Sequence, residues 1–144
     1  MRKSEMSQEQ LQQRSLFVDT LANAGWRNSN TNRNFDEGLW TTVEAKLTYS
    51  NRDMSLELEL SFENPRLIFH INSKEGKSLG LVFKCLDRQK DLLEAIVGMQ
   101  DHLTTDNVKN KMQELVIVCP NVFKISASGD KLLPIKPMSS QKKD

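Results

Sequence analysis

The sequence lacks long apolar runs and any excess of charge of one sign. No stretch approaches the roughly 18 consecutive apolar residues of a membrane-spanning helix, so no membrane association is expected. The 20 basic and 19 acidic side chains nearly cancel, and the pI is about 7.8. Nucleic-acid-binding domains usually carry a basic patch and a pI above about 9. Nucleic acid is therefore not expected as a partner.

Catalytic and cofactor-binding motifs are missing as well. The sequence contains no glycine-rich phosphate loop, no G-x-S-x-G pattern and no H-E-x-x-H pattern. The only histidines, His70 and His102, are predicted on a strand and at a helix end. A structural hydrogen bond is favoured for each over the role of a general base. We expect a protein that is not an enzyme and that has no cofactor and no metal.

Cysteine is scarce, and the start of the chain lacks an apolar segment. Cys85 and Cys119 form neither a C-x-x-C pair nor a disulfide-rich framework. Two reduced, partly buried thiols are the favoured interpretation, and a Cys85–Cys119 disulfide is the alternative. Residues 1–7 include two basic side chains with no apolar stretch behind them, so no secretory signal is predicted. A cytoplasmic location is expected.

Three helices are predicted from capping residues and helical spacing. Ser7 and Gln10 form a capping-box pattern that opens the first helix, and Gly25 is suited to end it. Caps at Asp87 and at residues 104–106 precede two further apolar stripes. Residues 115–118 read Leu-Val-Ile-Val, which is compatible with either a helix end or a strand.

Between the first two predicted helices, apolar residues recur at every second position instead of at helical spacing. This alternation predicts four consecutive strands, joined by short turns, over Leu39–Tyr49, Met54–Phe62, Leu67–Ile71 and Leu79–Phe83. Two short segments after Pro120 suggest a C-terminal hairpin. The predicted fold is α+β, with a four-stranded antiparallel meander, an N-terminal helix and two further helices. A single domain is predicted over residues 1–136, followed by a flexible tail at 137–144.

The first predicted hairpin has an acidic face. A four-residue turn at 50–53 places Lys46 opposite Glu57 but Glu44 opposite Glu59, and like charges directly opposite destabilise a sheet. An ordinary solvated face is the simpler interpretation. The functional interpretation is a docking surface for a basic partner protein, with a tryptophan as its anchor. The predicted partner-binding residues are Trp40, Glu44, Glu57, Glu59 and Glu63.

This layout of helices and strands resembles that of toxin-neutralising immunity proteins and, less closely, that of small secretion chaperones. The resemblance implies a non-enzymatic, cytoplasmic, bacterial protein that binds and neutralises a partner such as a toxin. One alternative is a homodimeric chaperone that binds a segment of an effector. Another is a small enzyme or small-molecule binder with a pocket between sheet and helices, involving His70 or Cys85.

Overall fold

The computed structural model describes residues 6–28 and 44–135. Helix α1 spans Gln8–Asn23, α2 spans Gln89–Met99 and α3 spans Val108–Val118, and a 3-10 turn at Leu86–Arg88 leads into α2. The strands are β1 (Arg27–Asn28), β2 (Ala45–Ser50), β3 (Met54–Ser61), β4 (Arg66–Ser73), β5 (Ser78–Phe83), β6 (Val122–Ile125) and β7 (Leu132–Pro134). Among these residues, no helix is both long and apolar enough to cross a membrane.

All seven described strands form one antiparallel sheet in chain order. The prediction of a four-stranded meander is therefore wrong, although the general α+β class is confirmed. Strands β2 to β5 correspond to the four predicted strands, but the sheet continues at both edges. Strand β1 pairs with β2, and β6 and β7 extend the sheet from β5. The segments predicted as a separate C-terminal hairpin are thus the last two strands of the same sheet.

The first hairpin has a tighter turn than predicted. Ser50 pairs with Ser55, and the backbone N–H of Asn51 donates to the carbonyl of Met54 at 2.9 Å. The register is therefore shifted by two residues from the predicted one. Side chains alternate along a strand with a period of two, so this shift leaves the side chains of β2 and β3 on their predicted faces. The predicted strand residues 39–43 lie outside the described residues.

One face of the sheet, which we call the inner face, packs against the helices. Alternate residues of β2 to β5 are buried there, including Leu47, Leu56, Leu58, Leu60, Leu67, Phe69, Ile71, Leu81 and Phe83. They form a single cluster with Phe17 and Leu21 of α1, Leu92 and Ile96 of α2, and Leu115 and Val116 of α3. Because every described helix contributes to this cluster, the helices cover the same side of the sheet. The opposite side is the outer face.

The predicted signals for the helix ends are confirmed at α1. Ser7 Oγ accepts from the backbone N–H of Gln10 at 3.1 Å, and Gln10 Oε1 accepts from that of Ser7 at 2.9 Å. Gly25 ends the helix with a φ of +96°, a conformation that favours glycine. The stretch 115–118 forms the last turn of α3. Its first two residues are buried in the core and Ile117 faces outwards.

Cys85 and Cys119 are joined in a disulfide with their Cα atoms 6.3 Å apart. The favoured expectation of two reduced thiols is not met. Cys85 lies just after β5 and Cys119 just before β6, so the bond closes the base of the segment that carries α2 and α3.

Replacing both cysteines by alanine should lower the free energy of unfolding by about 3–4 kcal/mol, since the bond joins residues 34 positions apart and restricts that loop in the unfolded chain. Urea denaturation of the oxidised wild type and the double variant measures the difference. Alkylation of denatured wild type provides the check. Both thiols should react only after reduction, and reaction without reduction would contradict the bond.

The side chain of Asn51 connects the first hairpin turn to the end of α2. Its Oδ1 accepts from the backbone N–H groups of Asp53 at 2.8 Å and Met54 at 2.7 Å. Its Nδ2 donates to the carbonyls of Gln100 at 2.7 Å and Leu103 at 3.0 Å. One amide thus closes the turn and holds it against the helical layer.

Asn51→Ala should lower the free energy of unfolding by about 2–3 kcal/mol, because it leaves several partly buried backbone groups without their hydrogen bonds. The neighbouring exposed residue provides a control, and Arg52→Ala should stay within about 0.5 kcal/mol of wild type. Urea denaturation measures both variants. Equal stability of the two would show that water replaces the amide at no cost.

Candidate functional site

The outer face of the sheet combines acidic and apolar side chains from neighbouring strands. The register places one row of residues across β2 to β6, namely Lys46, Glu59, Ile68, Val82 and Phe123. A second row crosses β2 to β5, namely Thr48, Glu57, His70 and Gly80. The side chain of Ile125 fills the space above Gly80, where a Cβ atom would lie 2.8 Å from its Cδ1 atom. The face is therefore acidic over β3 and mainly apolar from β4 to β6, where Arg66 and Lys84 add two basic side chains beside Ile68 and Val82.

Glu57, Glu59 and His70 form a compact group that we call the outer-face cluster. His70 Nε2 lies 3.6 Å from Glu59 Oε2 and 4.0 Å from Glu57 Oε2. Lys46 Nζ lies 3.8 Å from Glu57 Oε1 at the β2 side. Two carboxyl groups and an imidazole thus share one small area of an otherwise regular sheet surface.

The environment of the cluster raises the pKa of Glu59 to about 7. Burial is the largest cause, followed by a hydrogen bond with Glu57 and by the charge of Glu57, while the charges of Lys46 and Arg66 act in the opposite direction. The Glu59 side chain is only 16% exposed. Near neutral pH this carboxyl group is protonated in a large fraction of molecules, and a cation that docks beside it would favour its ionised form.

The cluster could also supply metal ligands. One ligand atom from each residue can be chosen so that all three lie within 4.8 Å of one another. Nitrogen and oxygen ligands of a tetrahedral zinc ion lie about 3.3 Å apart. The three side chains would therefore have to move inwards to hold such an ion. Without that movement, the arrangement is suited to sharing a proton or to accepting a basic side chain.

The predicted site residues have different positions in the structure. Glu57 and Glu59 lie together on the outer face, and Glu63 is exposed in the turn after β3. Glu44 is completely buried, and its Oε2 accepts from the backbone N–H of Phe62 at 3.0 Å. Its predicted position opposite Glu59 is wrong, because Lys46 occupies that position. Trp40 lies outside the described residues.

His70 is the site residue that sequence reasoning did not connect to the acidic pair. The sequence predicts only that it lies on a strand, and the structure places it directly opposite Glu57. The signal was the turn at Asn64-Pro65, which pairs Ser61 with Arg66 and so determines the register of β3 and β4. This register is what places the imidazole of His70 beside the carboxylates of Glu57 and Glu59.

A shallow apolar hollow lies beside the cluster. Val82 is 3% exposed, yet it does not belong to the main core, because it points to the outer face. With Ile68, Ile125 and Leu132 it lines a hollow of about 300 Å³, and the side chains of Arg66 and Lys84 line the same hollow. Ile68 is the register partner of Glu59, so the hollow and the cluster adjoin.

Glu59→Gln should stabilise the protein at about pH 8 by an amount on the order of 1–3 kcal/mol. The folded protein holds a proton on Glu59 between about pH 4.5 and about pH 7, where the unfolded chain has lost it. This residue therefore makes the free energy of unfolding fall as the pH rises through that range, and glutamine removes the effect.

Urea denaturation at about pH 4 and about pH 8 tests this expectation. Glu94→Gln, on an exposed position of α2, is the matched control and should respond equally at both pH values. A Glu59→Gln difference that is the same at both pH values would contradict the proposed cause.

Comparison with protein-family models, with curated proteins and with solved structures finds no match for this chain. The feature that stands out is the acidic cluster beside an apolar hollow on the face opposite the helices.

Proposed function

We propose that this protein is a non-enzymatic binding module that docks a basic partner protein on the outer face of its sheet. The observation that carries the proposal is the arrangement of Glu57, Glu59 and His70 on a face to which no described helix contributes. Burial and the neighbouring Glu57 raise the pKa of Glu59, so the ionised pair of carboxylates works against folding. An opposing cation would relieve that repulsion, and an interface is a physical reason to keep both.

The chemistry of the face indicates what the partner should present. A lysine or arginine side chain placed over the cluster would favour the ionised form of Glu59 and would form charge-assisted hydrogen bonds with the carboxylates. An apolar side chain next to it could enter the hollow beside Ile68 and Val82. Protein interfaces typically combine buried apolar anchors at their centre with polar and charged groups around them.

The specific version that we favour is a small cytoplasmic inhibitor of the immunity type, which masks a basic toxin in a bacterial cell. An inhibitor needs only a complementary surface and no catalytic group. An acidic face would also accelerate association with a basic partner, as long-range attraction raises the rate of encounter. Glu63, exposed at the end of β3, would extend this negative field.

Charge reversal on the outer face tests the proposal. The tagged wild-type chain is used to isolate a partner from its own cells, and the affinity is then measured with both proteins purified. The double variant Glu57→Lys with Glu59→Lys should bind about 30-fold more weakly or worse. Glu94→Lys reverses a charge on the helical side and should bind like wild type.

The measurement also has outcomes that would contradict the proposal. Unchanged affinity of the double variant, with thermal unfolding that shows it to be folded, would exclude the outer face as the interface. A partner without a basic surface would exclude the electrostatic argument. A stable homodimer in light scattering, together with binding of an unfolded segment, would favour the chaperone alternative instead.

A further inference from the structure

A second cavity lies on the other side of the sheet, between α3 and the ends of β3, β4 and β5. It is an open groove of about 580 Å³. Helix α3 packs against α2, and the groove is the space that α3 leaves beside the inner face. Neither His70 nor Cys85, the residues expected in a pocket between sheet and helices, lines this groove.

The floor of the groove is apolar. Five of its lining residues are hydrophobic, namely Met54, Ile71, Leu79, Val108 and Met112. Met54 and Ile71 belong to the main core, whereas Leu79, Val108 and Met112 pack against that core and remain partly exposed. An open space of this volume with a hydrophobic floor has the dimensions of a site for a small organic ligand.

The rim of the groove is basic. Lys77 follows the turn after β4, Lys109 belongs to the first turn of α3, and Lys124 lies on β6, and all three are exposed. No aspartate or glutamate is among the described residues that line the groove. None of the ion pairs found among the described residues involves any of these three lysines.

This separation of charge is not a consequence of overall composition. The chain as a whole has 20 basic and 19 acidic side chains. Three separate segments nevertheless each bring one lysine, and no carboxylate, to the edge of one apolar groove. Long lysine stems can lie along apolar surface while their ammonium groups remain at the rim. The groove is therefore complementary to a molecule with an apolar body and an anionic head.

We propose that this groove binds a free long-chain carboxylate. Its aliphatic chain lies on the apolar floor, between Leu79 and Met112, and its head group lies near Lys77, Lys109 and Lys124. The volume suits a monomeric small molecule, since pockets for small ligands usually measure about 300–1,000 Å³. The apolar chain replaces water over the partly exposed floor, and the lysines select the charge of the head group. This site is separate from the outer face and does not depend on the function proposed for it.

Calorimetric titration with three amphiphiles of equal chain length tests the proposal. Decanoate, decan-1-ol and decyltrimethylammonium share an apolar tail and differ in the charge of the head. Decanoate should bind about tenfold more tightly than the alcohol, and the cation should not bind detectably. Absence of decanoate binding at about 1 mM, or equal binding of all three, would overturn the proposal.

Two variants and one control locate the binding. Lys77→Glu with Lys109→Glu should weaken decanoate about tenfold or more, because it reverses the charge at two sides of the rim. Met112→Trp should obstruct the floor and weaken decanoate and the alcohol alike. Lys90→Glu reverses an exposed charge on α2 outside the groove and should bind like wild type. Retained decanoate affinity in both groove variants would place any binding elsewhere.

Two further measurements separate this site from other surfaces. Binding only to vesicles of anionic phospholipid, and not to decanoate as a monomer, would overturn the assignment in favour of a bilayer-docking surface. The outer-face variant Glu57→Lys with Glu59→Lys should bind decanoate with wild-type affinity. Loss of decanoate in that variant, with the fold intact, would also overturn the groove assignment.

Discussion

The alternation of apolar side chains along β2 to β5 is the constraint on which the rest of the structure depends. Because side chains of a strand alternate between faces, this pattern creates one continuous apolar surface that must be covered. Each leucine or phenylalanine buried there contributes about 1.5–3 kcal/mol. The described helices pack their apolar sides against that surface, and none of them contributes to the outer face. The outer face is left for other roles.

Charge is distributed unevenly over the two sides of this sheet, although the chain is almost neutral. The outer face gathers carboxylates around Glu59, at a position where partial burial makes ionisation unfavourable. The groove beside α3 gathers lysines around apolar side chains. A net charge of +1 conceals both features.

Sequence patterns were sufficient for the four central strands and for the placement of Glu57 and Glu59 on one face. They could not determine the first hairpin register, since a shift by two residues satisfies the same alternation and the turn depends on hydrogen bonds of Asn51. The strands at the edges have two to four residues, too few to show a period. Strand pairing alone brings His70 to the site. The polarity of Glu44 favours an exposed position, but its carboxylate is buried and accepts a hydrogen bond from the backbone.

The disulfide has a consequence for how the chain can fold. Most paired strands follow one another directly, so their contacts are local and form with little loss of chain entropy. Strands β5 and β6 are the paired strands that lie furthest apart along the chain, because α2 and α3 lie between them. Cys85 and Cys119 flank that helical segment, and the pairing of Lys84 with Asn121 lies next to them. Once the bond has formed, the most distant strand pair along the chain becomes a near neighbour, and the effective contact order of the whole sheet falls.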